Sequence, residues 1–230
     1  MDIEELLREN TYPGRGIIVG LSPQARAVSA YFIMGRSENS RNRVLSLDKG
    51  NLNAEAFDPK QVKDPSLIHY TAFQRFADVL ILSNGDHGDI ICSYLKDGET
   101  FEQALGSSSY EPDEPHYTAR ISSLVSLKGP FTYKLSIVKK GESGCKRKFF
   151  KYNDPTKGGG HLIHTYKADG KILPSFTGSP REVTVGEDIE AFSQKIWGAL
   201  NKDNRIALYV RYTDLSDGKS EERLFNTHTR

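Results

Sequence analysis

Apolar side chains occupy every second position at Phe131, Tyr133, Leu135 and Ile137, with polar residues between them. A period of two is the repeat of an extended strand that turns one face to a core. One such strand needs partners, and the chain offers them. Residues 15–21, 28–35, 44–47, 67–73, 79–82, 148–152, 161–166, 206–212 and 223–225 all read as strands. A Ser22-Pro23-Gln24 turn joins the first two as a hairpin.

Helical spacing is confined to a few zones. A short leading helix is expected over 3–9. Ile90, Ile91, Tyr94 and Leu95 follow a glycine-containing turn at helical spacing, and 101–105 continues as a short helix. Ile121, Leu124 and Val125 predict a helix over 118–127. Ile189, Phe192, Ile196 and Leu200 mark one face of a helix over 188–200. Residues 48–65 are polar, carry Pro59 and Pro65, and read as a long loop. Helices lying between groups of strands predict an α+β fold with largely antiparallel sheet, in several layers. Residues 1–11 form a leading helical segment and 12–230 a single domain.

Bulk properties narrow the function classes. A chain of 230 residues buries an ample core. Lys and Arg number 31 against 30 Asp and Glu, so the formal net charge is +1. That balance argues against a general nucleic-acid binder, which carries a basic excess. No apolar run approaches the roughly 20 residues that span a bilayer, so no membrane is expected. The acidic start, Met1-Asp2-Ile3-Glu4-Glu5, lacks the basic region of a signal peptide. Cys92 and Cys145 form no CxxC pair, and a reducing cytoplasm is the expected setting.

Four polar clusters could carry chemistry. Arg36-Ser37 through Asn42-Arg43, with Arg15 upstream, combines guanidinium forks, hydroxyls and amides in a turn without Asp or Lys. Such donors suit a phosphate, and a solvated loop is the alternative. Tyr70 is a polar break in an apolar run. Ser83-Asn84-Gly85-Asp86-His87-Gly88-Asp89 stands at a strand-to-helix turn. It reads as an anion site, a metal site or a plain capped turn. Tyr110-Glu111-Pro112-Asp113-Glu114-Pro115, with Thr118 and Arg120 just beyond, holds stiffened carboxylates, of which Glu111 or Glu114 could serve as general acid or base; an acidic surface loop is the alternative. Motifs for a catalytic nucleophile, a dinucleotide fold or a P-loop are absent.

Taken together, these clusters are similar to the archaeal-type IMP cyclohydrolases and their bacterial relatives. The matching pieces are Tyr12-Pro13-Gly14-Arg15 with Ile17-Ile18-Val19-Gly20, Ala30-Tyr31 running into Arg36-Ser37 and Asn42-Arg43, and Asp64-Pro65 through Tyr70. Leu82 through His87 and Tyr110-Glu111 through Thr118-Ala119-Arg120-Ile121 complete the set. A weaker match continues through Thr165-Tyr166 and Gly178-Ser179-Pro180.

The resemblance implies a four-layer αββα sandwich like that of N-terminal nucleophile hydrolases, without self-processing. It implies closure of 5-formamidoimidazole-4-carboxamide ribotide to inosine monophosphate and water, with no cofactor and no metal. Tyr70 and Glu111 would be catalytic. Arg15, Arg36, Ser37, Asn42, Arg43, Asn84, Gly85, Asp86, His87 and Arg120 would bind the purine ribonucleotide. The family habit also implies a homo-oligomer. Two other readings remain open: a non-catalytic purine-nucleotide binder on the same scaffold, and an amide hydrolase.

Overall fold

The protein is described by a computed structural model over residues 1–62 and 65–228. Its first strands are β1 (Arg15–Leu21), β2 (Arg26–Met34), β3 (Val44–Asp48), β4 (Asn51–Glu55), β5 (Tyr70–Phe76) and β6 (Val79–Ser83). These are followed by β7 (Arg120–Ser126), β8 (Thr132–Gly141), β9 (Gly144–Tyr152), β10 (Gly159–His164), β11 (Arg181–Thr184), β12 (Arg205–Asp214) and β13 (Ser220–Asn226). The helices are α1 (Ile3–Glu9), α2 (Glu38–Arg41), α3 (His87–Lys96), α4 (Phe101–Gly106) and α5 (Ile189–Ala199).

The strands form two antiparallel sheets. One has the order β11-β10-β1-β2-β12-β13, the other β3-β4-β5-β6-β7-β8-β9. Alternation decides what each face meets. Ile17, Val19 and Tyr31 of the first sheet share an apolar cluster with Leu52, Ala72, Ile121 and Leu135 of the second. The intervening residues Ile18, Ala30 and Phe32 point the other way, onto Leu6 and Leu7 of α1 and Phe192 and Ile196 of α5. Ile81 and Val138 of the second sheet meet Ile91, Phe101 and Leu105 of α3 and α4. Burying each such side chain contributes about 1.5–3 kcal/mol. β1 is buried throughout, which is why it reads as a continuous apolar run. The sheets are stitched at one edge by Asn226, whose amide bonds the Leu45 N–H and C=O at 2.9 Å each.

The helix expected over 118–127 is instead β7, a central strand hydrogen-bonded to β6 and β8. Ile121 and Val125 are four apart, an even number, so they share a strand face as readily as a helix face. Sheet pairing decides in favour of the strand. The expected loop over 48–65 contains β4, whose Asn51, Asn53 and Glu55 obscure the alternation of buried Leu52 and Ala54. The arginine-rich turn contains the single-turn helix α2, capped by reciprocal Ser37 and Ser40 bonds. The strand expected over 161–166 is β10, which begins two residues earlier, at Gly159. β11 had no alternating signal and was not expected.

Candidate active site

Gly14 sets the entrance of β1. Its φ of +78° is open to glycine, and a Cβ there would strike Thr165 Oγ1 and the Tyr166 ring. The turn delivers Arg15 to the same face as Ile17 and Val19, between the sheets. There the guanidinium, 6% exposed, pairs with the Glu111 carboxylate, 3% exposed. Burial works against Arg15's charge, but Glu111, reinforced by the phenols of Tyr166, Tyr70 and Tyr31, outweighs it and raises the pKa. Arg15 is therefore a fixed cation. Its Nε has no hydrogen-bond partner among the described residues.

A second buried cation stands nearby. Arg43 immediately precedes β3 and donates from Nη2 to the Leu67 carbonyl at 3.0 Å, while Nε and Nη1 have no partner among the described residues. Leaving buried donors unengaged costs about 1–3 kcal/mol each. Both arginines line a cavity of about 260 Å³ whose wall includes Arg36, Ser37, Glu111 and Tyr166. Asn39, with a buried unpartnered Oδ1, lies on the same wall.

Tyr70 begins β5, and its hydroxyl bonds the Tyr31 hydroxyl at 2.7 Å. Burial, then the neighbouring Tyr70, pushes the Tyr31 pKa well up, although Arg15 and Arg43 act against this. Both charges thus reach the phenol pair. Burial likewise lifts Tyr166 to about 12, so its hydroxyl, bonded to Thr118, stays protonated.

The structure brings Arg15, Arg36, Ser37, Arg43 and Glu111 to one cavity; Tyr70 is not on its wall but acts electrostatically on Arg15. Arg36 reaches the rim, stacks over Tyr12 at 4.8 Å and pairs with Asp169. Asn42 points elsewhere: its amide exchanges bonds of 2.8 and 2.7 Å with the backbone of Asp58. The 83–89 turn is largely engaged with the protein itself. Asn84 donates to the Ala119 carbonyl at 3.0 Å and accepts from the Ile121 N–H at 2.7 Å. Asp86 pairs with Arg120 at 3.0 Å, and Gly85 lies so close that a Cβ would collide with Arg120 Nη1. His87 bonds the Ile121 carbonyl through Nε2 at 3.0 Å, with Nδ1 unpartnered. Burial, then Arg120, depresses His87 to about 3, so the ring is neutral at neutral pH. Arg15 also acts on His87, so the two clusters lie within electrostatic reach. Asp64 lies outside the described residues.

Tyr12, Tyr31, Asp113, His116 and Tyr166 were not among the expected site residues, yet they line or support this cavity. Tyr31 carried a signal: it is a hydroxyl within an otherwise apolar run facing the core. Asp113, gripping Thr118, had none beyond its place in an acidic loop. Among the described residues, no group of three or more His, Cys, Asp or Glu is arranged to hold a metal ion.

A family model described as "IMP cyclohydrolase-like protein" matches residues 12–219. The chain belongs to this family. The match runs from the Tyr12 motif through β12, so it contains both arginines, Tyr70 and Glu111. A protein of Methanosphaera stadtmanae named IMP cyclohydrolase is 26% identical over 122 residues, covering 51% of this chain and 59% of that protein. One of the same name from Methanothrix thermoacetophila is 31% identical over 119 residues, covering 50% and 58%. The chain thus matches somewhat over half the length of these curated relatives. No described helix is long and apolar enough to cross a membrane.

Proposed function

We propose that the protein closes 5-formamidoimidazole-4-carboxamide ribotide to inosine monophosphate and water, in the cavity walled by Arg15, Arg43 and Glu111. The observation that carries this is the pair of buried arginines with unengaged N–H groups beside a phenol pair and a buried carboxylate. The family match and the names of the two archaeal relatives supply the reaction.

The two reacting groups belong to one substrate molecule, so attachment already supplies much of the proximity. The protein must hold the rotamer in which the carboxamide nitrogen faces the formyl carbon, stabilise the developing oxyanion, and move protons. Arg36, Ser37 and Arg43 bind the phosphate or orient the base. The Tyr31 and Tyr70 hydroxyls share one hydrogen bond in which either can donate; with Tyr31 as donor, the Tyr70 proton is left for the formyl oxygen. Glu111, held by Arg15, orients the carboxamide N–H and accepts its proton during or after attack, because an amide is too weak an acid to ionise beforehand. Asn84, Gly85, Asp86, His87 and Arg120 fix the path of β7 behind Arg15, and Asn42 fixes the start of β3.

The two sheets with helices on each outer face support a four-layer αββα sandwich of the N-terminal nucleophile hydrolase kind, formed by 12–230 as one domain. We further infer a cytoplasmic, homo-oligomeric enzyme; the unpaired cysteines accord with a reducing compartment. Calorimetric titration with inosine monophosphate tests the site. Arg43→Ala is expected to weaken binding by about tenfold or more, a loss of at least ~1.4 kcal/mol. Undiminished affinity would move the nucleotide elsewhere.

A further inference from the structure

A second cavity, of about 360 Å³, lies on the outer face of the six-stranded sheet beside α1. That size falls within the roughly 300–1,000 Å³ of small-molecule sites. Its polar side chains are those of Glu9, Asn10, His164, Lys167, Thr177, Ser179 and Arg181, and Leu162 and Phe176 give it an apolar wall.

Strand register assembles it. Leu162 of β10 stands opposite Arg181 of β11, so the two share a face. His164, two residues on, projects from that face too. The His164 ring is 7% exposed and packs edge-on to Phe176, with centroids 4.4 Å apart. Nδ1 donates to the Tyr166 carbonyl at 2.8 Å, which fixes the tautomer and leaves Nε2 as the ring's free acceptor. Nε2 has no partner among the described residues. Neither Lys167 nor Arg181 has a carboxylate partner there; Arg181 touches Met1 Sδ at 3.9 Å. Glu9 carries the one carboxylate on the described wall, against these two cations.

An arginine fork, an ammonium, two hydroxyls and an imidazole acceptor match a phosphate that still carries one proton. The apolar wall matches an organic substituent. We propose that this cavity binds a small organic phosphate, at a site separate from the one lined by Arg15, Arg43 and Glu111. Tyr166 joins the two. Its carbonyl accepts from His164 and, at 3.1 Å, from Asn10, while its hydroxyl bonds Thr118 beside the first cavity.

Imidazole carbon–proton spectra test this on the whole protein, with phenyl phosphate as probe and sodium chloride at equal ionic strength as control. Burial holds His164 at about 4 in the free protein. Phenyl phosphate is expected to shift the His164 signals saturably and to raise that pKa by about one unit or more, a tenfold change in proton affinity. Lys167→Ala with Arg181→Ala should abolish the response while leaving the His116 signals, from the wall of the other cavity, where they lie in the unsubstituted protein. Arg181→Lys, which keeps the charge and loses the fork, should weaken the response several-fold and serves if the double variant fails to fold. His164 signals that stay still at about 10 mM phenyl phosphate, a free energy near −2.7 kcal/mol, would overturn the proposal. A response matched by chloride, or unchanged in the folded variants, would do so too.

Discussion

The Arg15–Glu111 site and the 83–89 turn use similar chemistry and differ in what is left over. Each joins an arginine to a carboxylate beside a buried aromatic or imidazole ring. At the first, Arg15 and Arg43 keep buried N–H groups that no described residue satisfies, and both residues line a cavity. At the second, the Asn84 amide binds β7 and the preceding loop, and the His87 Nε2 binds β7, leaving Nδ1 unengaged. Composition alone does not separate a ligand site from a clasp. What separates them here is the remainder: three arginine N–H donors at the first, one imidazole nitrogen at the second.

The sharpest way to break this contrast is to unpair each arginine. Glu111→Ala strands a cation buried among phenols and should cost about 3–5 kcal/mol in urea denaturation. A loss below ~1 kcal/mol would mean that the pair is not buried as described. Next in size is Tyr70→Phe, expected to lower kcat about 10²–10³-fold with little change in KM, as for loss of one oxyanion donor. A rise in KM alone would remove that role.

His87 comes third, through pH. An unfolded chain takes up its proton near pH 6.5, and the folded one resists until about 3. The unfolded state therefore binds more protons in between, and stability falls as pH drops through that window. His164, held at about 4, adds to the same slope. His87→Gln should flatten the dependence of the denaturation midpoint between pH 6.5 and 4.5; an unchanged slope would show that His87 is not the group responsible. The smallest effect belongs to Asp86→Asn. Its carboxylate side chain is 66% exposed, so breaking the Arg120 pair should cost at most ~1 kcal/mol.

Much of the fold was legible where alternation was clean, as in β8, or where both faces are buried, as in β1. It was not legible where few apolar residues fit both periods, as in β7, or where polar residues intervene, as in β4. The residue types at the site were visible in the sequence as well: Arg15, Arg43 and Glu111 each stood out. Which of them keep donors open was not, because that depends on partners far along the chain. Asn42 and Asn84 looked equally suited to a ligand until Asp58, Ala119 and Ile121 were seen to engage them. Tyr31 escaped notice because its hydroxyl gains meaning only from Tyr70 on the opposite sheet.

The central claim is that the cavity lined by Arg15, Arg43 and Glu111 closes a purine ring. Absorbance at the wavelength of the product purine, with the purified chain and the formamido ribotide, tests it most directly. The account predicts enzyme-dependent formation of inosine monophosphate without added metal or cofactor. A folded protein that binds inosine monophosphate yet gives no purine above the uncatalysed rate would contradict it.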